Sequence, residues 1–411
     1  MNNTNQVKRE DYPIHDWYRF VLSFPPHLIK RYIEKFDITH DDVVLDPFCG
    51  TGTTNVECKK NGIASIGVEA NHIAHFASTT KCNWSIDAKE MYDEALHISE
   101  QALSKIANNN LRTLAEEQNK LLITNSICEK PLSQVLELRD VIYSSNSIYE
   151  NYYLLALAKH LACSYSNLKF GPEVCISKKR TLDADVVGIW MDQICKMKED
   201  IEQCRNSADV PAQIICGDAR NISKLNFRNK VNYVITSPPY PNEKDYSRTT
   251  RLESVVLGFI SNNVDLRTMK KHFIRSNTRN VYKDDDDFHY IENVSSISNL
   301  SDTIEEKRIS LNKTSGFEKL YSKVVKLYFG GMARHLIELK THLANNAKLA
   351  YVVGDQASYF QTPIRTAELL AEIAESVGYT VEEIETFRER YATATGTWLN
   401  ENVLILKYEG E

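Results

Sequence analysis

The most chemically specific stretch of the sequence is Thr-Ser-Pro-Pro-Tyr at positions 236–240, which ends an apolar run. Pro238 and Pro239 fix the backbone and remove two amide donors, so their carbonyl groups remain as rigid acceptors. The Ser237 hydroxyl and the Pro238 carbonyl can then accept both hydrogens of a planar exocyclic amine, which frees the nitrogen lone pair, while Tyr240 stacks on the ring. The stretch therefore predicts a loop that activates an aromatic amine, with a structural turn as the alternative.

A second candidate site is the turn Asp-Pro-Phe-Cys-Gly-Thr-Gly-Thr-Thr at 46–54. Gly50 and Gly52 lie where an apolar strand would turn into a helix, and a residue without a Cβ lets the backbone approach a ligand closely. Glu69 ends the next predicted strand, where a carboxylate can bind both hydroxyls of a ribose. The pattern is neither GxGxxG nor a Walker motif, which disfavours a dinucleotide or ATP. An ordinary tight turn is the alternative.

A third candidate is Asp218-Ala219, which follows a further predicted strand. A carboxylate at this position can accept a hydrogen bond from an adenine amino group, and a turn aspartate after Gly217 is the alternative. An adenosine-type ligand that lies across several strand ends unites these positions: Asp46, Gly50, Gly52, Glu69 and Asp218.

The elements that must position these motifs follow an α/β pattern. Buried-type strands at 41–48 and 63–70 flank a helix at 53–60, and such a βαβ unit predicts a parallel sheet. The further predicted strands are 212–219, 231–240, 347–355 and 401–408, and the further helices are 25–36, 316–343 and 365–378.

Two segments interrupt this pattern. Residues 87–210 are predicted to be mainly helical, with a buried helix at 152–162. One helical face in this segment is predicted to carry Tyr92, Leu96, Ser99, Leu103 and Ile106. Residues 241–315 contain an aspartate run at 284–287 and a Ser/Asn-rich stretch at 294–302, both predicted to be loops.

Basic residues are in excess directly after the 236–240 loop. Such a surface matches the phosphates of a nucleic acid, with a solvated helix face as the alternative. The residues are Arg248, Arg251, Arg267, Lys270, Lys271, Arg275, Arg279 and Lys283. A smaller basic patch in the first interruption consists of Lys178, Lys179 and Arg180. We expect Trp17 and Trp398 to be core residues, with stacking on a base as the alternative.

Composition bounds the remaining properties of the 411-residue chain. The formal net charge is −6, so any contact with nucleic acid must use a local basic surface. None of the nine cysteines forms a CxxC pair, and no histidine clusters with them, so we expect free thiols and no metal site. The sequence shows no signal peptide and no apolar run near ~18 residues, which predicts a cytoplasmic protein without membrane contact.

Together, the 46–54 turn and the 236–240 loop resemble the motifs of the S-adenosylmethionine-dependent amino-methyltransferases that act on DNA. In that family the DPF-x-GxG turn holds the methionine part of the cofactor, the strand-end acid binds the ribose, and the (S/D/N)PP(Y/F) tetrad is catalytic. The resemblance implies an α/β, Rossmann-like class I methyltransferase fold with a mixed, mostly parallel seven-stranded sheet and largely helical insertions. It implies that Ser237, Pro238, Pro239 and Tyr240 are catalytic. The implied cofactor-binding residues are Phe24, Asp46, Pro47, Phe48, Gly50, Gly52, Thr53, Glu69, Asp218 and Ala219.

The resemblance also predicts how the chain is organised. The catalytic domain would comprise 1–86, 211–240 and 316–411, with 87–210 as a candidate for target recognition and 241–315 for DNA contact. The cofactor motifs precede the tetrad, so the chain is circularly permuted relative to the commonest Ser-Pro-Pro-Tyr enzymes.

Serine at the first position of the tetrad is typical of cytosine-N4 enzymes, whereas Asp or Asn is typical of adenine-N6 enzymes. The resemblance therefore implies methyl transfer to cytosine N4 in a specific site of double-stranded DNA, with the target base flipped out of the duplex. The implied setting is prokaryotic, nucleoid-associated restriction–modification or phage defence, with a cognate restriction endonuclease as partner. The alternatives are an adenine-N6 DNA methyltransferase, an RNA amino-methyltransferase, a protein-glutamine methyltransferase and a catalytically silent nucleic-acid-binding protein.

Overall fold

A seven-stranded sheet forms the centre of the molecule in the computed structural model, which describes residues 9–19, 23–108, 110–169, 171, 174–392 and 396–410. The strands are β1 (Val43–Asp46), β2 (Ala64–Glu69), β3 (Ala212–Cys216), β4 (Val231–Thr236), β5 (Leu343–Gly354), β6 (Thr380–Ala392) and β7 (Thr397–Tyr408). Their order across the sheet is β3-β2-β1-β4-β5-β7-β6.

Strand direction defines where a ligand can bind. The first five strands pair in parallel, whereas β7 pairs antiparallel with both β5 and β6. The predicted mixed, mostly parallel sheet of seven strands is therefore confirmed. Beyond β1 the chain order runs outward to β2 and β3 on one side and to β4 on the other, and ligands of α/β folds bind at the carboxyl ends of the strands at such a switch point.

Helices surround the sheet and alternate with its strands. They are α1 (Tyr12–His15), α2 (Pro26–Lys35), α3 (Thr53–Lys60), α4 (His72–Lys81), α5 (Ala88–Asn108), α6 (Glu116–Leu121), α7 (Glu129–Ser145), α8 (Glu150–Cys163), α9 (Val186–Gln203), α10 (Tyr246–Thr249), α11 (Arg251–Val256), α12 (Asn263–Lys271), α13 (Ser295–Ser310), α14 (Tyr321–Leu339) and α15 (Thr366–Ser376). A two-residue antiparallel hairpin, Leu168–Lys169 with Cys175–Ile176, lies between α8 and α9.

Side-chain alternation along the strands builds a core on each face of the sheet. Val44, Ile235 and Val352 pack with α2 and α3 on one face. On the other face the neighbouring residues Leu45 and Val234 pack with α13, α14 and α15. A third core joins the helices α5 to α9 to α4 and α11. The strand ends that carry the motifs are thus fixed from both sides.

Three local predictions are wrong. The Ser/Asn-rich stretch near 294–302 is not a loop but the first half of α13, because Ile297, Ser301 and Ile304 recur at helical spacing and pack against α14. The predicted face of α5 is also displaced: Leu96 and Leu103 are 41% and 53% exposed. The buried face of α5 instead carries the smaller or more flexible residues Met91, Ala95, Ile98 and Ala102, against α7 and α9. Trp398 is 63% exposed, whereas Trp17 is buried as expected.

No helix within the described ranges is both long and apolar enough to cross a membrane. The same residues contain no group of three or more His, Cys, Asp or Glu side chains arranged to hold a metal ion.

Candidate active site

A cavity of about 520 Å³ opens at the carboxyl ends of β1 to β5. This volume is within the range of small-molecule sites. The structure brings together around it the two sequence motifs and the third candidate. The predicted site residues that line it are Phe24, Pro47, Phe48, Gly50, Thr53, Glu69, Asp218, Ala219, Ser237, Pro238, Pro239 and Tyr240. Asp46 and Gly52 lie outside the lining.

The glycine turn is held by its own backbone and by the neighbouring helix. Gly52 has a left-handed φ of 82° and donates its amide to the Cys49 carbonyl at 2.7 Å. A Cβ on Gly52 would lie 3.0 Å from Cβ of Ser78 in α4. Gly52 is therefore required for the turn and for helix packing, while Gly50, with a φ of 53°, is the glycine at the cavity wall.

Glu69 is the acid at the end of β2. Its Oε2 accepts the Gly50 amide at 2.8 Å and its Oε1 accepts the Asn71 amide at 2.7 Å. Burial raises the pKa of this carboxyl to about 7, against the lowering effect of the two amides. The carboxylate lines the cavity and can accept further hydrogen bonds, so it can receive hydroxyl groups of a ligand there.

Asp46 joins the two motifs from beneath the cavity. Its Oδ2 accepts the Thr54 hydroxyl at 2.7 Å, and its Oδ1 accepts the Thr236 hydroxyl at 2.6 Å and the Phe48 amide at 3.1 Å. The side chain is fully buried, and burial raises its pKa to about 6. Asp46 therefore holds the glycine turn and the residue before Ser237 in register from outside the cavity lining, and direct contact with a cofactor stays a prediction.

The Ser-Pro-Pro-Tyr loop is anchored to β5. The Ser237 hydroxyl donates to the Val352 carbonyl at 3.1 Å. The Tyr240 ring lies against Gly354, where an added Cβ would be 3.0 Å from Cε2 of the ring. Burial raises the pKa of the Tyr240 phenol, so the ring presents a neutral face.

Charged residues of β6 and β7 form one wall of the cavity. Arg388 makes a two-pronged ion pair with Glu401, at 2.6 and 2.8 Å. Arg390 donates to the Asp355 carbonyl at 2.8 Å and to Oε1 of Gln356 at 3.1 Å. Sequence reasoning missed Gln356 and Glu401, because only the pairing of β7 with β5 and β6 brings them to the Ser-Pro-Pro-Tyr loop.

Asp218 lines the cavity but is committed to an internal ion pair. Its Oδ1 accepts from the Arg220 amide and Nε, and its Oδ2 accepts from Nη2 of Arg220 and from the Asn221 side chain, at 2.7 to 3.3 Å. All four acceptor sites are thus filled, which is contrary to the expected role as an adenine acceptor. Arg220 also binds Asp287 at 2.7 Å. The Asp287 backbone packs closely on Gly330, because a Cβ on Gly330 would lie only 2.1 Å from the Asp287 carbonyl oxygen.

The aspartate run at 284–287 pairs with part of the basic stretch. Asp284 pairs with Lys271 and Asp285 pairs with Arg275, at 2.9 and 2.8 Å. The buried Lys270 pairs with Asp245 at 3.2 Å. These three cations are therefore paired within the fold, and contact with phosphate stays a prediction for the rest of the stretch. The exposed basic residues of the stretch are Arg248, Arg267, Arg279 and Lys283.

Residues of the second interruption also line the cavity, a role that sequence reasoning did not assign to individual residues. They are Asn242, Lys244, Tyr246, His272, Phe273, Ile274 and Ser276. Their only sequence signal is that they follow the Ser-Pro-Pro-Tyr loop.

A sheet of this strand order, with a glycine turn after β1 and an acid at the end of β2, is the class I methyltransferase fold. The family model described as DNA methylase (N6_N4_Mtase) matches residues 1–78. The chain is 25% identical to the Type II methyltransferase M.BsoBI of Geobacillus stearothermophilus, over 92% of this chain and 81% of that one. It is 24% identical to the Type II methyltransferase M.AvaI of Nostoc sp., over 90% and 80% of the two chains. These matches support a DNA amino-methyltransferase family for the chain.

Among solved structures, the rRNA methyltransferase aviRa from Streptomyces viridochromogenes aligns with 97% of this chain and 94% of its own, at 9% identity and a TM-score of 0.35. A likeness of this size adds nothing to the assignment, which rests on strand order and on the relatives in sequence.

Proposed function

We propose that the protein transfers a methyl group from S-adenosylmethionine to the exocyclic N4 of cytosine at a specific site in double-stranded DNA. The family and the curated Type II relatives support a site-specific DNA methyltransferase that works within a restriction–modification system. We further propose that a cognate endonuclease cleaves the same site when it is unmethylated.

The observation that carries the proposal is the hydrogen bond from Ser237 to Val352. The hydroxyl has a single hydrogen, and that hydrogen is given to the β5 carbonyl. Toward the cavity the oxygen can therefore only accept. With the Pro238 carbonyl beside it, the loop offers acceptors for the two hydrogens of an amine. This fits cytosine and adenine alike, and the serine in the tetrad favours cytosine.

The described residues also fit the cofactor. S-adenosylmethionine, when bound, supplies an electrophilic methyl group. Glu69 would accept hydrogen bonds from the ribose hydroxyls, and the turn at Gly50 would lie against the ligand without side-chain hindrance. Phe24 and Phe48 supply apolar wall to the same cavity.

The chain's own groups complete the chemistry without a covalent enzyme–base adduct. Tyr240 provides a neutral ring on which a flipped base can stack, and Ser237 and Pro238 orient its amine. Burial raises the pKa of the Cys49 thiol, so this cavity-lining group stays protonated and a poor nucleophile. We therefore expect Cys49→Ser to retain methyl transfer, and a large loss of activity in this variant would contradict direct attack by the amine.

The two interruptions are the proposed DNA-reading parts. Residues 241–315 lie next to the base end of the cavity, because Lys244, Tyr246 and Phe273 line it. Residues 87–210 form the helical body from α5 to α9 that packs on α4 and α11. We assign backbone contacts near the target base to the first of these segments and target recognition to both.

Nucleoside mass spectrometry of unmethylated DNA treated with the enzyme and S-adenosylmethionine tests the proposal. N4-methylcytosine is expected. N6-methyladenine would refute the choice of base but keep the reaction class. Methylation confined to RNA or protein would refute the DNA assignment.

Two variants connect the product to the site. Ser237→Ala should slow methyl transfer by about 10²-fold, as expected for the loss of one preorganised polar contact. Tyr240→Ala should lose the ~1–3 kcal/mol of base stacking. Cofactor affinity should stay within about twofold in both, with Ser310→Ala at the exposed end of α13 as the matched control. Full activity in Ser237→Ala would contradict the catalytic role.

A further inference from the structure

The hairpin of β6 and β7 projects beyond the edge of the sheet at which the cavity opens. The last residue pair between β5 and β7 is Gly354 with Glu401, whereas β6 and β7 continue to pair through Ala392 and Thr397. Four further register positions at about 3.3 Å each carry the hairpin roughly 13 Å past the end of β5. Because β6 runs parallel to β5, its projecting end is on the side of the cavity mouth.

Two large aromatic side chains lie on this projecting part. Tyr391 and Trp398 are directly opposite each other in the strand register. Their ring centroids are 5.4 Å apart and the rings are at 64°. They are 53% and 63% exposed, and the described chain packs little against them. The other three tryptophans, Trp17, Trp84 and Trp190, are fully buried, so the exposure of Trp398 is exceptional within this protein.

The opposite face of the same hairpin belongs to the cavity. Arg388 and Arg390 line it, and Arg390 fixes the hairpin to the loop after β5 through Asp355 and Gln356. Side chains of a strand alternate between its faces. One face of the hairpin therefore carries Arg388 and Arg390 toward the cavity. The opposite face carries Tyr391 and Trp398.

We infer that Tyr391 and Trp398 stack on the duplex bases next to the gap that the target nucleotide leaves when it turns into the cavity. This inference rests on the proposed function. Aromatic rings stack on any base irrespective of sequence, and apolar side chains inserted at a base step stabilise a disrupted stack. The projecting hairpin then separates a base held at Tyr240 from the remaining base stack. Its two aromatic rings replace the stacking contacts that the duplex loses.

Fully paired duplexes that contain the mapped methylation site, with 2-aminopurine next to the target base, test the inference. Trp398→Ala should lower kcat/KM by about 5- to 150-fold, which corresponds to the ~1–3 kcal/mol of base–aromatic stacking. It should also reduce the fluorescence gain that reports unstacking. Trp398→Phe should retain most of both signals, and the Tyr391→Ala/Trp398→Ala pair should lose the most.

Three further measurements distinguish base stacking by Tyr391 and Trp398 from a purely structural role of the two side chains. Affinity for S-adenosylmethionine without DNA should stay within about twofold of wild type. An abasic site opposite the target base, which weakens the stack in advance, should reduce the defect to about threefold or less. Ile384→Ala is the matched control, since Ile384 is 38% exposed on the same strand, seven residues from Tyr391 and away from the cavity mouth.

The stacking inference and the proposed function are refuted by different results. If wild type methylates DNA and flips its target while the double variant matches it, the inference is wrong and the proposed function stands. If the double variant matches wild type on DNA but converts a dimer to a monomer, the pair is a contact between two copies of the chain. If wild type methylates no DNA, the proposed function fails and the inference fails with it.

Discussion

Binding of S-adenosylmethionine should weaken as the pH falls through 7, because Glu69 takes up a proton in that range. The carboxyl is half-buried in the cavity wall at the end of β2, and desolvation raises its pKa to about 7 despite the backbone amides that donate to it. Ribose hydroxyls donate to the ionised form, so ligand binding lowers this pKa and releases a proton. Affinity therefore rises with pH through the pKa of the free protein and levels off above it.

The size of the effect follows from that pKa. If only the ionised form binds well, the apparent Kd scales as one plus the ratio of protonated to ionised carboxyl. With a pKa of about 7 the Kd at pH 6 should be roughly tenfold that at pH 8, or about 1.4 kcal/mol. Glu69→Gln should bind about 1–3 kcal/mol more weakly at pH 8. One reason is that the NH₂ group of the substituted side chain would face the backbone N–H of Gly50 or Asn71, so that two donors would oppose each other.

Calorimetry in buffers of different ionisation enthalpy measures both consequences. At pH 7 the wild type should release about half a proton on binding, and Glu69→Gln should not release it. The ligand's own amino group titrates in a nearby range, and its contribution is removed by subtracting the Glu69→Gln result. Asp46 titrates lower, at about 6, and remains in both proteins. Equal pH dependence in the two proteins would refute the role of Glu69.

Four further predictions concern the framework and the DNA contact. Asp46→Ala should lower the free energy of unfolding by about 1–3 kcal/mol through the hydroxyls and the amide it leaves unpaired, which urea denaturation measures. Arg220→Met should cost about 3–5 kcal/mol, because it leaves the buried Asp218 without its cation and Asp287 with Arg334 alone, and unchanged stability would refute the assigned ion pair. The double variant Arg248→Glu/Arg279→Glu should weaken binding to all DNA sequences alike and reduce the slope of log K against log salt by about two. Sequence-selective loss would show that these arginines read bases. Lys270→Glu should instead destabilise the fold, since its buried partner is Asp245.

The sequence was most informative where one residue type is required by local geometry. Gly50 and Gly52 have positive φ values, and the prolines of 238–239 remove donors whatever surrounds them. The strands before these motifs are short apolar runs bounded by charged or glycine residues, so their positions were predicted to within a few residues. The same reasoning gave the acid at the end of β2, because parallel strands end on a common edge.

It was least informative where the choice of partner decides the outcome. The basic stretch after the tetrad and the aspartate run at 284–287 were read separately as a phosphate surface and a loop. The fold pairs them with each other, and Asp287 reaches Arg220 beside the cavity. Along α5 two apolar stripes compete, and close packing against α7 and α9 selects the one with small residues.

The sequence by itself determined the fold class, the two motifs and the chemistry their residue types allow, because these depend on local backbone constraints and on side-chain functional groups. Only the tertiary structure decided that Asp46 joins the motifs from below, that Asp218 is held by Arg220, and that Trp398 stands exposed beyond the cavity mouth. The first and third depend on which distant segments meet, and the second depends on the burial of two near neighbours beside the distant Asp287. Burial and ion pairing are properties of contacts between residues as much as 190 positions apart, and such contacts leave no periodic signal in the chain.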